Sequence, residues 1–109
     1  MKILYLHGLG AQPGGTKPTF LEECGHDVDN PALPDDDFDQ SVRIARSVFE
    51  DNRPDVVVAS SRGGAVAVNM GIDQVPVVLI APAWKKWGRA TSVGWATVIL
   101  HSPHDDLVP

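Results

Sequence analysis

Short apolar runs alternate with segments of helical periodicity along the chain. Four of these runs show no polar alternation, which is typical of strands buried on both faces of a parallel sheet. They are residues 3–6, 56–59, 77–80 and 97–100, and a weaker strand is predicted over residues 26–30. Strands that alternate with helices predict a parallel sheet covered on both faces. We therefore expect an α/β protein, a three-layer α/β/α sandwich with a mostly parallel sheet, formed by one domain over residues 1–109.

The clearest helical pattern lies in the middle of the chain. Phe38, Val42, Ala45 and Phe49 recur at spacings of four, three and four residues, which places them on one face of a helix. Three aspartates at 35–37 precede this face. Carboxylates suit a helix N-terminus because they accept hydrogen bonds from its free backbone N–H groups, so we interpret the run as a cap rather than a metal site. Shorter helices are predicted over residues 19–24 and 65–70, and an irregular crossover over 84–93.

Composition narrows the classes of function. The 109 residues are 43% hydrophobic and carry a net charge of -5, without a cluster of Lys and Arg, which argues against nucleic acid or anionic membrane as a partner. No run approaches the ~18 apolar residues of a membrane span. The single cysteine, Cys24, excludes an intrachain disulfide and is interpreted as a small buried apolar residue. We expect a cytoplasmic protein.

The turn after the third predicted strand carries the main candidate for chemistry. Ser61 stands between a strand and a helix, and the residues two before and two after it, Ala59 and Gly63, are small. A nucleophile elbow needs small residues at these two positions, because its strained turn holds the serine at the apex. The helix behind Ser61 would offer free N–H groups to an oxyanion. An ordinary strand-to-helix turn with a serine cap would show the same residues, so both interpretations remain open.

Two further segments lie at the ends of predicted strands. A His-Gly-Leu-Gly run at 7–10 follows the first strand, where the backbone N–H of Leu9 would join that of Arg62 in an oxyanion hole. His7 is expected to bond the loop backbone rather than act as a base. After the last strand, Asp105 or alternatively Asp106 occupies the position of a triad acid, although a polar turn with an Asx cap is the competing interpretation.

Taken together, these segments resemble the α/β-hydrolase superfamily, especially its small bacterial esterases without a lid. The resemblance extends over essentially the whole chain and rests on residues 5–9, 13–18, 60–64, 81–83 and 101–109. It implies a serine hydrolase, a carboxylesterase that cleaves small carboxylic esters through an acyl-enzyme intermediate without a cofactor or metal. Ser61 would be the nucleophile and Asp105 the acid, and the oxyanion hole would be formed by the N–H groups of Leu9 and Arg62.

The chain departs from that family after the acid. The family places its catalytic histidine beyond one further strand, whereas this sequence ends at Pro109. We therefore expect a chain that lacks the final strand and helix, with a bare apolar edge at residues 97–100 that would permit homo-oligomers. His104 is a candidate substitute for the missing base.

Other functions stay open beside the hydrolase. The missing histidine favours a non-catalytic α/β domain, either a pseudo-hydrolase or an interaction module. A phosphate binder of the flavodoxin type would cradle its ligand at residues 60–64, although the chain has neither G-x-x-x-x-G-K-[ST] nor G-x-G-x-x-G. The guanidinium of Arg62 is expected to pair with a carboxylate at 35–37 rather than with an acidic substrate. Three tryptophans would line an acyl pocket or cover the sheet: Trp84, Trp87 and Trp95.

Overall fold

The computed structural model describes residues 1–8, 14–72, 75–80 and the backbone of 97–100. Its elements are β1 (Lys2–Leu6), α1 (Thr16–Glu23), β2 (Asp27–Asp29), α2 (Phe38–Asn52), β3 (Val56–Ser60), α3 (Arg62–Asn69), β4 (Val77–Ile80) and β5 (Thr97–Leu100). In the described part of the chain, no helix combines the length and the apolar character that crossing a membrane requires.

The five described strands form one parallel sheet in the order β2-β1-β3-β4-β5. β2 is added on one side of β1, whereas β3, β4 and β5 are added in turn on the other side of β1. The order therefore reverses between β1 and β3, where Leu6 pairs with Ala59. In open α/β sheets, ligands bind beyond the carboxyl ends of the strands at this reversal, which makes the β1/β3 edge the first place to look for a site.

Helices cover both faces of this sheet. Because parallel crossovers are right-handed, α2 and α3 lie on one face and α1 on the other, and α2 and α3 contact each other. The predicted three-layer α/β/α sandwich with a mostly parallel sheet is confirmed. The crossover predicted at 84–93 and the turn at 101–109 lie outside the described residues.

The hydrophobic core lies between the sheet and the α2/α3 layer. Alternate strand positions point into it, as expected from the period of two in a strand. Buried members from the strands are Leu4, Leu6, Val57, Ala59, Val77 and Leu79, joined by Ala45 of α2 and Val66 and Ala67 of α3. The predicted apolar face of α2 is confirmed, since Phe38, Val42 and Phe49 pack against this cluster and Ala45 belongs to it.

Two boundaries differ from the sequence-based prediction. α1 begins at Thr16 rather than 19, and Pro18 falls in its first turn, where a missing N–H costs no intrahelical hydrogen bond. α3 begins at Arg62 rather than 65, directly behind Ser61. Gly63 and Gly64 disfavour a helix in isolation, so this earlier start depends on packing that the sequence pattern does not show.

Two single-residue interpretations have different outcomes. Asp37 is the N-cap of α2, and its side chain accepts a hydrogen bond from the N–H of Gln40 at 3.0 Å, so the capping role predicted for the acidic run is confirmed at this residue. The burial expected for Cys24 is wrong. Cys24 is the exposed C-cap residue of α1, a helix that contributes only Pro18 to the buried residues.

Candidate functional site

Ser61 has a strained backbone conformation at the carboxyl end of β3. Its φ of 49 and ψ of -122 lie in a region that non-glycine residues avoid, at a cost of about 1–3 kcal/mol. The Ser61 N–H donates to Ile80 O at 3.0 Å, and its carbonyl accepts from Gly64 N–H at 2.9 Å. Surrounding structure therefore holds Ser61 in place. Its side chain makes no cap hydrogen bond to the described residues of α3, so a capping role does not explain the serine.

Close packing brings the turn after β1 against the turn after β3. A Cβ added to Gly63 would overlap the carbonyl oxygen of Leu6 and lie 2.7 Å from that of His7. A Cβ added to Gly8 would lie 3.0 Å from Ser61 Cβ and 3.6 Å from its hydroxyl oxygen. These distances put Ser61 beside the loop that follows β1, at the point where the strand order reverses.

His7 forms part of the framework under this turn. The ring is only 3% exposed, its Nε2 accepts from the N–H of Leu33 at 2.9 Å, and its Nδ1 lies 2.9 Å from Gly8 O. Because an amide N–H must donate to Nε2, the ring proton belongs on Nδ1, which donates to Gly8 O. Backbone groups occupy both ring nitrogens, so the prediction that His7 bonds the loop backbone is confirmed.

The side chains of Tyr5 and Ser60 form a hydrogen-bonded pair on the face of the sheet opposite the main core. The Tyr5 hydroxyl lies 3.0 Å from Ser60 Oγ, and burial raises the pKa of Tyr5 while the hydrogen bond to Ser60 acts in the other direction. Sequence reasoning missed this pair. The available signal was the register, because Tyr5 pairs with Val58 and Ser60 lies two residues further along the same face.

The side chain of Arg62 is directed away from solvent, toward the loop in front of α2. It is 1% exposed, its Nη2 donates to Pro34 O at 2.9 Å and Ser41 Oγ at 3.3 Å, and its guanidinium carbon lies 5.5 Å from the centre of the Phe38 ring. Burial lowers the pKa of Arg62, and the aspartates at 35–37 oppose that effect. The guanidinium is thus turned toward the loop that holds these aspartates, and its hydrogen-bond acceptors are Pro34 O and Ser41 Oγ. The predicted pairing with a carboxylate at 35–37 stays a prediction.

The other sequence-predicted site residues lie outside the described ranges. This holds for Leu9, Asp105, Asp106 and His104, whose roles stay predictions. The backbone N–H of Arg62 is at the first position of α3, immediately after Ser61, and its role as an oxyanion donor also stays a prediction. Among the described residues, no group of three or more His, Cys, Asp or Glu side chains is arranged to hold a metal ion.

Fold and site together define a doubly wound α/β domain with a strained serine at its topological switch point. The sequence matches no protein-family model and no curated protein. Among solved structures, the fold is similar to the crystal structure of a 1,3-propanediol oxidoreductase, with a TM-score of 0.57 and 14% sequence identity. The match covers 92% of this chain and 38% of that one, so this chain corresponds to well under half of that enzyme. At this identity the likeness shows the fold alone.

These comparisons correct the identification made from the sequence. The resemblance to the α/β-hydrolase superfamily is contradicted, because the matching structure is an oxidoreductase and no family model supports a hydrolase. The inferred carboxylesterase function is therefore wrong. Small residues around a serine, and a glycine in the neighbouring loop, meet the packing demands of two turns at a switch point. A sequence pattern this short indicates the fold rather than a particular reaction.

Proposed function

We propose that the protein is an enzyme that binds a small neutral substrate at the carboxyl ends of β1 and β3. The Ser61 hydroxyl and the N-terminal turn of α3 would bind and polarise a carbonyl or hydroxyl oxygen of that substrate. The observation that carries the proposal is the strained conformation of Ser61 at the switch point. Strain of this kind persists only where surrounding structure enforces it, and it is concentrated at functional sites.

The chemistry follows from the end of a helix. The first backbone N–H groups of an α-helix have no acceptor within the helix, and the aligned peptide dipoles place partial positive charge there. Hydrogen bonds aimed at a carbonyl oxygen stabilise the negative charge that develops on it when the carbonyl carbon is attacked. Ser61 is the proposed catalytic residue in this arrangement. The N–H groups of Arg62 and Leu9 are proposed donors, and Asp105 is the proposed acid.

A neutral substrate suits the charges at this edge of the sheet. Asp29 ends β2, and the aspartates at 35–37 follow in the next loop, so four carboxylates belong to the same edge as Ser61. Together with the net charge of -5, they disfavour the approach of an anion. The similar structure is that of an enzyme named for a small neutral diol, 1,3-propanediol, which is consistent with this substrate class.

Binding is tested by titrating the ¹⁵N-labelled protein with propanal and with 1,3-propanediol. We expect both probes to shift the amide signals of Gly63 and Gly64, and acetate at equal concentration to shift them less. Removing the hydroxyl in Ser61→Ala should weaken propanal binding about 3- to 10-fold, the value of one hydrogen bond. Ser47→Ala, at an exposed position of α2, is the matched control and should bind like the wild type.

Turnover is tested with the hydration of propanal, because polarising a carbonyl oxygen speeds the addition of water without any further reactant. Exchange between aldehyde and hydrate is measured by NMR saturation transfer. We expect acceleration by the wild type and by Ser47→Ala, and none by Ser61→Ala. Equal rates and affinities for the wild type and Ser61→Ala would reject the proposal.

A phosphate-binding function is the second candidate. The strand order 2-1-3-4-5 and a helix N-terminus at the β1/β3 switch point are the arrangement that flavodoxin-like proteins use for a phosphate group. Titration with inorganic phosphate separates the two candidates. Phosphate-induced shifts at Gly63 and Gly64, with no response to propanal, would favour this function, whereas no response to any probe would favour a non-catalytic domain.

A further inference from the structure

We propose that Arg62 is a positioning residue that holds Ser61 in its strained conformation by anchoring the first turn of α3 to the loop in front of α2. The inference rests on the proposed function, because it assumes that Ser61 is the residue that contacts the substrate. The anchor links this contact to Pro34, in a loop that precedes Ser61 by more than 20 residues.

Contacts with the sheet restrain the backbone before and after Ser61. The N–H of Ser61 is held by Ile80 O, and Gly63 packs against the backbone of Leu6 and His7. The conformation of Ser61 also depends on the direction in which α3 leaves the turn. Arg62 is the first residue of α3, so any restraint on its side chain acts directly on that direction.

Hydrogen bonds connect the side chain of Arg62 with Pro34 and Ser41. Nη2 of Arg62 donates to Pro34 O at 2.9 Å and to Ser41 Oγ at 3.3 Å. The Ser41 hydroxyl has two carbonyl acceptors in reach, the same Pro34 oxygen at 2.9 Å and Asp37 O at 3.1 Å. The Phe38 ring contributes a cation–π contact at 5.5 Å. Three residues of the loop and of α2 therefore fix the guanidinium of Arg62: Pro34, Ser41 and Phe38.

The positive charge of Arg62 indicates that its side chain orients α3 and does more than fill space. A buried cation loses its hydration, and an apolar side chain of similar size would fill the same space without that cost. The two hydrogen bonds of Nη2 and the contact with the Phe38 ring instead fix the position of the guanidinium, and an aliphatic side chain makes neither of these contacts. The aspartates at 35–37 favour the charged form of Arg62, so the loop that receives the guanidinium also stabilises it.

The experiment compares Arg62→Met, Arg62→Lys and Ser41→Ala with the control Arg43→Met, an exposed arginine of α2 that bonds to Gln40. The Cα and Cβ chemical shifts of Ser61 in the ligand-free protein report its φ, and propanal titration reports binding. We expect Arg62→Met to move the Ser61 shifts toward those of a residue with negative φ and to raise the propanal Kd about tenfold. Arg62→Lys and Ser41→Ala should do the same to a smaller extent, and Arg43→Met should change neither.

Two readouts separate this inference from the proposed function. Unchanged Ser61 shifts in cooperatively folded Arg62→Lys and Ser41→Ala would overturn the positioning role, even if both variants melt at lower temperature. If Arg62→Met does not fold, those two variants decide. A wild type that fails to bind propanal would overturn the proposed function alone, because the Ser61 shifts are measured without ligand and still test the anchor.

Discussion

Replacing Gly63 by alanine should be the most damaging methyl addition at this site. Gly63 lies in the first turn of α3, where the helix meets the carboxyl end of β1. Its added Cβ would overlap the Leu6 carbonyl oxygen and lie 2.7 Å from the His7 oxygen. Leu6 is the last residue of β1 and pairs with Ala59 of β3, and His7 follows it directly. Both oxygens are backbone atoms, so no side-chain rotation relieves the clash.

The size of the effect follows from the displacement that is required. Ordinary contact begins near 3.4 Å, so α3 must move away from His7 by roughly 0.7 Å, and further from Leu6. Overpacking of this kind costs about 1–3 kcal/mol, and the displaced helix also loses contacts between Val66 and the sheet. We expect a loss of about 3 kcal/mol in the free energy of unfolding. For a domain of this size, that lowers the Tm by roughly 15 °C.

Urea and thermal unfolding, followed by circular dichroism, measure this loss. Gly25→Ala is the matched control, because Gly25 has a φ of 94 and its added Cβ would meet nothing within 4 Å. That variant reports the cost of a positive φ alone, about 1–2 kcal/mol. If Gly63→Ala costs no more than Gly25→Ala, the close approach of α3 to β1 is refuted, and with it the contact between the two turns.

Two further predictions concern the same edge of the sheet. Ser61→Gly should be about 1 kcal/mol more stable to urea than Ser61→Ala, since glycine adopts a positive φ without a Cβ clash, and the reverse order would argue against strain at Ser61. Tyr5→Phe should lose about 1 kcal/mol at neutral pH with the hydrogen bond to Ser60. Burial raises the pKa of Tyr5 above its ordinary 10.0, so the folded protein favours the neutral phenol. The contribution of this preference to the free energy of unfolding is complete below pH 10 and is lost as the pH rises through the folded-state pKa. The free energy of unfolding should thus fall more steeply above pH 10 in the wild type than in Tyr5→Phe, and parallel pH profiles would contradict this.

Local patterns predicted the elements well where burial dictates the residues. The runs at 77–80 and 97–100 coincide with β4 and β5, because an apolar run without polar alternation is typical of a strand in a parallel sheet. Prediction failed where the cause lay elsewhere in the chain. α3 starts at Arg62 because Gly63 allows close packing against β1, and that contact joins positions more than 50 residues apart.

The candidate site shows the same division. The sequence by itself predicted the turn at Ser61 and the approach of the Arg62 side chain to the acidic loop, because small residues beside a serine and carboxylates in a loop are local signals. It misled on the family, since such a short pattern satisfies the packing of many α/β turns.

What the sequence alone determined was the class of fold, through the alternation of buried strands and amphipathic helices. Only the tertiary structure decided the strand order, the contact of Gly8 with Ser61 and the anchoring of Arg62 on Pro34 and Ser41. The physical reason is that hydrophobic periodicity depends on near neighbours and on burial. Strand order and side-chain partners depend instead on which distant segments pack together, and no local pattern along the chain encodes that choice.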